Sequence, residues 1–335
     1  MKYPIGIQSF ERIIEDGYVY VDKTHLIYDL THSGSIYFLS RPRRFGKSLL
    51  VSTLENYYLG RKELFKGLAM EKLEKEWNVH PVFHVDFNGA NFTKEGVLET
   101  MLEDYVNKWE KQYGLHTNRE LETGLRFRDV LKSAHEQTGH RAVVLIDEYD
   151  KPILDVLDID STLEERHRNV LKAFYSVFKV ADAHLQFVLL TGVTKFSQVS
   201  VFSGFNQPKD ISMDTRYETL CGITQDELDS YFAEPIAAMA TKYRCSTEKM
   251  KSLLQQKYDG YHFCHRNMVD IFNPFSLINA LADRELRNYW VSSGATSLLP
   301  KFVDDMEMKM EYFDHCFIEG DTLETSDVVN GGAEL

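Results

Sequence analysis

A chain of 335 residues with 51 acidic and 38 basic side chains has a formal net charge of −13, so it offers no global electrostatic case for nucleic acid or an anionic membrane. Its 43% hydrophobic, 27% charged and 13% aromatic content is that of a folded protein and excludes a disordered one. No stretch approaches the roughly 18 uncharged apolar residues of a membrane span, and the opening MKYPIGIQSFERIIEDG lacks a signal-peptide core. Four cysteines, Cys221, Cys245, Cys264 and Cys316, show no CxxC spacing, so free thiols and a cytoplasmic location are expected.

Residues 18–24 (YVYVDKT) alternate like a β-ribbon packed on a core. Residues 35–40 (SIYFLS) form a short apolar run that stops at Arg41-Pro42. Helical spacing follows over 48–59, through Leu50, Leu54 and Tyr57 or Tyr58. Residues 81–87 (PVFHVDF) predict a second strand. A helix is expected over 91–113, through Val97, Leu98, Met101, Leu102, Tyr105 and Trp109, and another over 127–137, ended by Gly139. Residues 142–146 (AVVLI) and 186–191 (QFVLLT) are continuous apolar runs, as strands buried on both faces of a parallel sheet require, with a helix over 163–181 between them. This alternation predicts an α/β fold: a parallel sheet flanked by helices, joined by right-handed crossovers.

Past residue 223 the pattern changes. Residues 224–243 open on Thr224-Gln225-Asp226-Glu227, a capping-box arrangement, and 247–257 and 274–287 read as further amphipathic helices. No strand here is as convincing as the earlier ones. The expected organisation is a core over 1–223, a helical lid or C-terminal subdomain over 224–325, and a frayed, disordered tail over 326–335.

Residues 40–50, SRPRRFGKSLL, join the first strand to the helix after it. Phe45-Gly46-Lys47-Ser48 ends like a phosphate-binding loop, G-x-x-x-x-G-K-[ST], but Arg41 stands where that pattern has its first glycine. A bare Gly-Lys-Ser also occurs in basic surface turns; the strand before and the helix after favour the phosphate loop. Backbone N–H groups at such a junction point at phosphate oxygens, helped by the helix dipole. Gly46 lets the backbone approach, Lys47 reaches the β- and γ-phosphates, and Ser48 can ligate Mg²⁺. The candidate phosphate-binding stretch is Arg43, Arg44, Phe45, Gly46, Lys47, Ser48 and Leu49. Pro42 can stiffen the turn in place of the glycine. Arg43 and Arg44 either contact phosphate or a carboxylate, or remain solvated loop charges.

The second half of the site is RAVVLIDEYD, residues 141–150, a buried run followed by Asp147-Glu148. This is a Walker B pattern, with the strand carrying Asp147 to its C-terminal end. Asp147 would hold the Mg²⁺ shell, and Glu148 would polarise the attacking water as general base. Surface acids ending a core strand are the plainer alternative, and it is the pairing with the loop that favours the nucleotide site. Thr191 at the end of the third apolar run, with Thr194 behind it, is the candidate for sensing the γ-phosphate. Arg216 is a weak candidate for an arginine finger. His262, Cys264 and His265, with Cys245 upstream, lack a second closely spaced ligand pair and read as packing, not as a zinc site. Residues 18–24 could alternatively line a nucleobase pocket.

Together these stretches resemble the bacterial and archaeal AAA-ATPase-like proteins, a P-loop NTPase group often joined to a C-terminal PD-(D/E)XK nuclease-like domain. The matching stretches are YPIGIQSFERIIEDGYVYVDKTHLI, LSRPRRFGKSLL, PVFHVDF, VVLIDEYDKPI, LLTGVTKFSQVSVFSGFN, LCGITQDEL, KYDGYHF, NPFSLINAL and NYWVSSG, in order across residues 4–294. In that family the loop resembles RPRRFGKS, so the resemblance makes Arg41 a family variant. It implies ATP handling by Gly46, Lys47 and Ser48, with Asp147 and Glu148 at the Mg²⁺. Family members commonly continue into the nuclease-like domain. Here Glu307-Met308-Lys309 is an E-x-K by letter only, and the expectation is the ATPase part of such a protein, naturally short or truncated.

The function expected is that of an ATPase using ATP and Mg²⁺ to drive a conformational switch read by a protein partner or effector domain, with no membrane association. The alternatives are a nucleotide-dependent binding module that scarcely hydrolyses, and the ATPase part of a nucleic-acid-processing factor, which the charge does not support.

Overall fold

The computed structural model describes residues 1–194, 208–264 and 269–289. The chain divides into two units, Met1–Pro42 with Gly46–Cys221, and Arg43–Phe45 with the described residues from Gly222 on. In chain order the first runs α1 (Phe10–Glu15), α2 (Thr24–Ser33), β1 (Ile36–Ser40), α3 (Lys47–Tyr58), α4 (Ala69–Leu73), β2 (Val82–Asp86), α5 (Val97–Gln112), α6 (Thr123–Thr138), β3 (Ala142–Asp147), α7 (Lys151–Leu154), α8 (Ser161–Val180), β4 (Leu185–Gly192) and β5 (Lys209–Asp210).

The strands form one parallel sheet in the order β2-β3-β4-β1-β5. Its centre is made of the two apolar runs: β3 is buried at every position and β4 at all but Gln186. Phe38, Phe83, Val144, Ile146, Val188 and Leu190 share a core with α5, α6 and α8, where Phe127 stacks on Trp109 at 4.9 Å and on Phe174 at 5.2 Å. Helix α3 packs against β2, β3 and β4. Both faces are therefore covered, which is why these strands read as unbroken apolar runs and not as alternation. Between α5 and α6 a buried Arg126 pairs with Glu110 at 2.7 Å, an ion pair that satisfies charges neither helix could bury alone.

Strand β1 lies between β4 and β5, while its own crossover leads to β2 at the far edge. The strand order thus reverses at β1. The crevice beyond the C-terminal ends at such a point is where open α/β sheets take their ligands. In register, Ser40 faces Gly192 and Asp86 faces Asp147, which brings the ends of β1, β4, β3 and β2 level there.

The second unit contains β6 (Ile223–Thr224), α9 (Gln225–Tyr231), α10 (Ala233–Tyr243), α11 (Thr247–Tyr258), β7 (Ile271–Phe272) and α12 (Pro274–Asp283). The capping box is present: Thr224 Oγ1 accepts from Glu227 N at 3.3 Å, and Glu227 Oε2 accepts from Thr224 N at 2.9 Å.

Several expectations need correction. The helix over 224–243 is two helices broken at Phe232, because Pro235 has no N–H to donate back to Tyr231 and its ring excludes a continuous turn. The helix over 91–113 begins only at Val97: Asn91 Oδ1 accepts from Thr93 N and Oγ1, a local turn that competes with helix, and Gly96 is left-handed at φ +78°. The helix over 274–287 stops at Asp283, with Arg284 left-handed at φ +55°. Residues 18–24 form no β-ribbon. Asp22 instead accepts from the N–H groups of Thr24 and Ala69, tying the segment to α2 and α4. Two strands, β6 and β7, pair antiparallel in the unit expected to be helical. The stretch WVSSG (residues 290–294), Glu307-Met308-Lys309 and residues 326–335 lie outside the described residues, as do His265 and Cys316. No described helix is long and apolar enough to cross a membrane.

Candidate phosphate-binding site

The loop leaves β1 through Arg41, and this residue explains the missing glycine. Arg41 is 1% exposed, and its guanidinium donates to Ser40 O (2.9 Å), Ser212 O (2.6 Å) and Tyr217 O (3.1 Å). Its own N–H donates to Gly192 O at 3.1 Å. Burial pulls its pKa down to about 10. The Arg41 guanidinium is thus committed to backbone carbonyls and stitches the loop to the chain beyond β5. What a glycine supplies elsewhere by conformational freedom is supplied here by a bonded anchor.

At the far end of the loop Gly46 is left-handed at φ +92° and serves as the N-cap of α3. Leu50 N makes the first intrahelical bond, to Gly46 O at 3.0 Å, which leaves the N–H groups of Lys47, Ser48 and Leu49 at the open helix end. Such an end concentrates positive potential on a few donors and suits a phosphate. Arg43 is exposed, and its side chain makes no ion pair or hydrogen bond among the described residues. Arg44, left-handed at φ +67°, lays its guanidinium over the Phe275 ring, 4.2 Å from the centroid. Phe45 is buried between Tyr261 and Phe263. The side chains of Arg44 and Phe45 are therefore committed to the second unit, and what they can offer a phosphate is backbone.

Lys47 is 3% exposed, and its ammonium donates to Arg41 O at 3.1 Å and Pro42 O at 3.4 Å and pairs with Glu148 Oε1 at 3.2 Å. Glu148, the residue after β3, holds a left-handed backbone at φ +56°, a conformation that costs a non-glycine residue about 1 kcal/mol or more. Burial pushes its carboxyl above the ordinary glutamate range; Lys47 opposes the rise, while Asp150 and Asp147 add to it. Asp147, 2% exposed, accepts from Thr191 Oγ1 at 2.5 Å through Oδ1, and its Oδ2 takes no hydrogen bond among the described residues. Thr191 Oγ1 in turn accepts from Glu148 N at 3.4 Å. Lys47, Asp147, Glu148 and Thr191 thus form one bonded group at the ends of β1, β3 and β4. The half-buried Ser48 follows Lys47 in the first turn of α3.

A family model described as "Predicted AAA-ATPase" matches residues 4–202. The chain belongs to the AAA-ATPase-like family. An uncharacterized protein from the vnfD 5′ region of Azotobacter chroococcum mcd 1 is 39% identical over 299 residues, 89% of this chain and 55% of that relative. The chain spans about half the length of the curated relative it matches. Family and sheet together identify an α/β P-loop NTPase fold of AAA-like type.

Within this AAA-ATPase-like chain three candidates are engaged elsewhere. Arg216 is held by Asp214, at 3.0 and 2.6 Å. Thr194 gives both N–H and hydroxyl to Asp150 Oδ2, at 2.7 and 2.8 Å. His262 pairs with Asp270 at 3.4 Å. Asp150 itself was missed by sequence reasoning. It is 1% exposed, also accepts from Val193 N at 3.0 Å, and is pushed above the ordinary aspartate range by burial. It clamps the loop after β4 to the end of β3. Only its place in the acidic run DEYD hinted at this, and a run of acids reads as surface. Gly192 makes room for the clamp, since a Cβ there would lie 2.4 Å from the Tyr149 ring and 2.8 Å from Asp150 Oδ1.

A cavity of about 500 Å³ lies elsewhere, between the end of β2 and α5, lined by residues including Asn88, Met101, Tyr105 and Lys108. A phosphate held by backbone donors at a helix end needs no deep hollow.

Proposed function

We propose that the chain binds ATP with Mg²⁺ at the loop before α3 and hydrolyses it, with Glu148 as general base. The observation that carries this reading is the bonded convergence of Lys47, Glu148, Asp147 and Thr191 at the strand ends beside an open helix N-terminus. In this proposal the N–H groups from Gly46 to Leu49 hold phosphate oxygens and Lys47 neutralises the β- and γ-phosphates. Arg43, exposed at the loop, is left to meet phosphate or solvent. The Ser48 hydroxyl and Asp147 Oδ2 would hold Mg²⁺, which when bound would offset charge on the β- and γ-phosphates.

The Thr191 hydroxyl donates its hydrogen bond to Asp147 Oδ1, so its proposed part is to orient that carboxylate and, through Glu148 N, the base beside it. Glu148 draws a proton from the attacking water, and a carboxylate lifted above its ordinary range is the better base for it. The helical unit would act as a lid and present the nucleotide state to a protein partner or effector domain.

Phosphate release by purified protein tests the reading. Release from ATP is expected with Mg²⁺, to stop on chelation with EDTA and to resume when Mg²⁺ is restored. ATP bound but never cleaved would replace it with the binding-module reading.

A further inference from the structure

We infer that Phe275 is a positioning residue for the phosphate loop and acts on it through Arg44. The inference rests on the nucleotide-site reading above. Residues Arg43–Phe45 group with the second unit and not with the strand and helix that flank them in sequence. Two interactions hold them there. The Arg44 guanidinium sits 4.2 Å from the Phe275 ring centroid, and Phe45 meets Tyr261 and Phe263 edge-on at 4.7 and 5.3 Å.

Between Pro42 and Lys47 the backbone turns left-handed twice, at Arg44 (φ +67°) and at Gly46 (φ +92°). Glycine does this freely and arginine does not, so the shape at Arg44 persists only because something outside the loop selects it. A flat, electron-rich ring face gives a guanidinium a defined resting place. That face is itself fixed. Asn273 caps α12 by accepting from Ser276 N at 3.0 Å, Pro274 opens the helix, and Asn273 N donates to Tyr258 O at 2.9 Å. The phosphate-facing N–H groups of Gly46, Lys47 and Ser48 follow Arg44 within four residues, so a loop released at Arg44 presents them less well. Arg44 is thereby removed from the set of direct phosphate ligands.

The test compares Phe275→Leu, which keeps apolar bulk and loses the ring face, with Phe275→Tyr, which keeps the face. Titrated with Mg-ATP as folded proteins, Phe275→Leu is expected to bind about three- to tenfold more weakly than wild type, and Phe275→Tyr to recover the affinity. In an Arg44→Met background Phe275→Leu adds no further loss, as a direct pair requires. Trypsin is expected to cut after Arg43 and Arg44 faster in Phe275→Leu, a readout that needs no nucleotide. Wild-type affinity in Phe275→Leu, or full additivity in the Arg44→Met background, overturns the inference. A wild-type chain that binds no Mg-ATP overturns the site reading and this inference with it, and unchanged tryptic rates would deny the brace by themselves.

Discussion

Glu148→Gln is expected to lower ATP turnover by about 10²–10⁴-fold while leaving Mg-ATP bound at least as tightly as in wild type. The amide keeps the shape of the side chain but cannot take a proton from water. It also removes the charge that Lys47 pairs with at 3.2 Å, so the ammonium is free for phosphate and affinity should not fall. Single-turnover phosphate release with a separate equilibrium titration measures the two effects apart. Turnover unchanged by the substitution would remove Glu148 as the base and leave its left-handed backbone and raised carboxyl without a catalytic account.

Arg41→Gly restores the glycine of the common phosphate-loop pattern and is nevertheless expected to damage the protein. It strips three carbonyls, the half-buried Ser40 O and, in buried bonds, Ser212 O and Tyr217 O, of a charged donor and leaves a void where a guanidinium stood. Bonds to charged groups are worth about 1.5–3 kcal/mol each, and the desolvation of Arg41 offsets part of that sum. A net loss on the order of 3 kcal/mol lowers Tm by roughly 6–12 °C for a unit of this size. Arg41→Lys, with a point charge in place of a fork, is expected to fall between the two. Thermal unfolding checks both variants. An Arg41→Gly protein as stable as wild type would show that the pattern simply tolerates arginine there.

These two residues show what the sequence made legible and what it hid. Glu148 could be found because it follows Ala142–Asp147, a run apolar enough to be a doubly buried strand, and such runs announce both the strand and its functional end. The central sheet, the loop–helix junction and the Thr224–Glu227 capping box were readable for the same reason: each is a local pattern with a local cause. Arg41 could be placed in the loop but not given its role, since an arginine beside Pro42 and two more arginines reads as solvent-facing. Its burial depends on carbonyls about 170 positions away. The strands Lys209–Asp210, Ile223–Thr224 and Ile271–Phe272 were invisible for a related reason. Two residues carry no periodicity, and only a partner distant in sequence makes them strands. The break at Phe232 is legible at Pro235, whose missing N–H outweighs the longer periodicity.

The sequence also left open whether Arg43 and Arg44 touch phosphate or brace the loop. Arg44 stands over Phe275, and Arg43 stays exposed, so the two neighbours have different parts. The basic run is therefore not one electrostatic patch. Arg41 is structural, Arg44 engages the second unit, and Lys47 alone of the loop's basic residues reaches the acidic strand end.

The most direct test of the nucleotide site is calorimetric titration of Mg-ATP into wild type and into Lys47→Ala, with the folded state of each verified first because Lys47 is buried. A charged donor to phosphate is lost, together with the bonds from Lys47 to Arg41 O and Pro42 O, so the variant is expected to bind at least about tenfold more weakly. Equal affinity in the two proteins would contradict the placement of the phosphates at this loop.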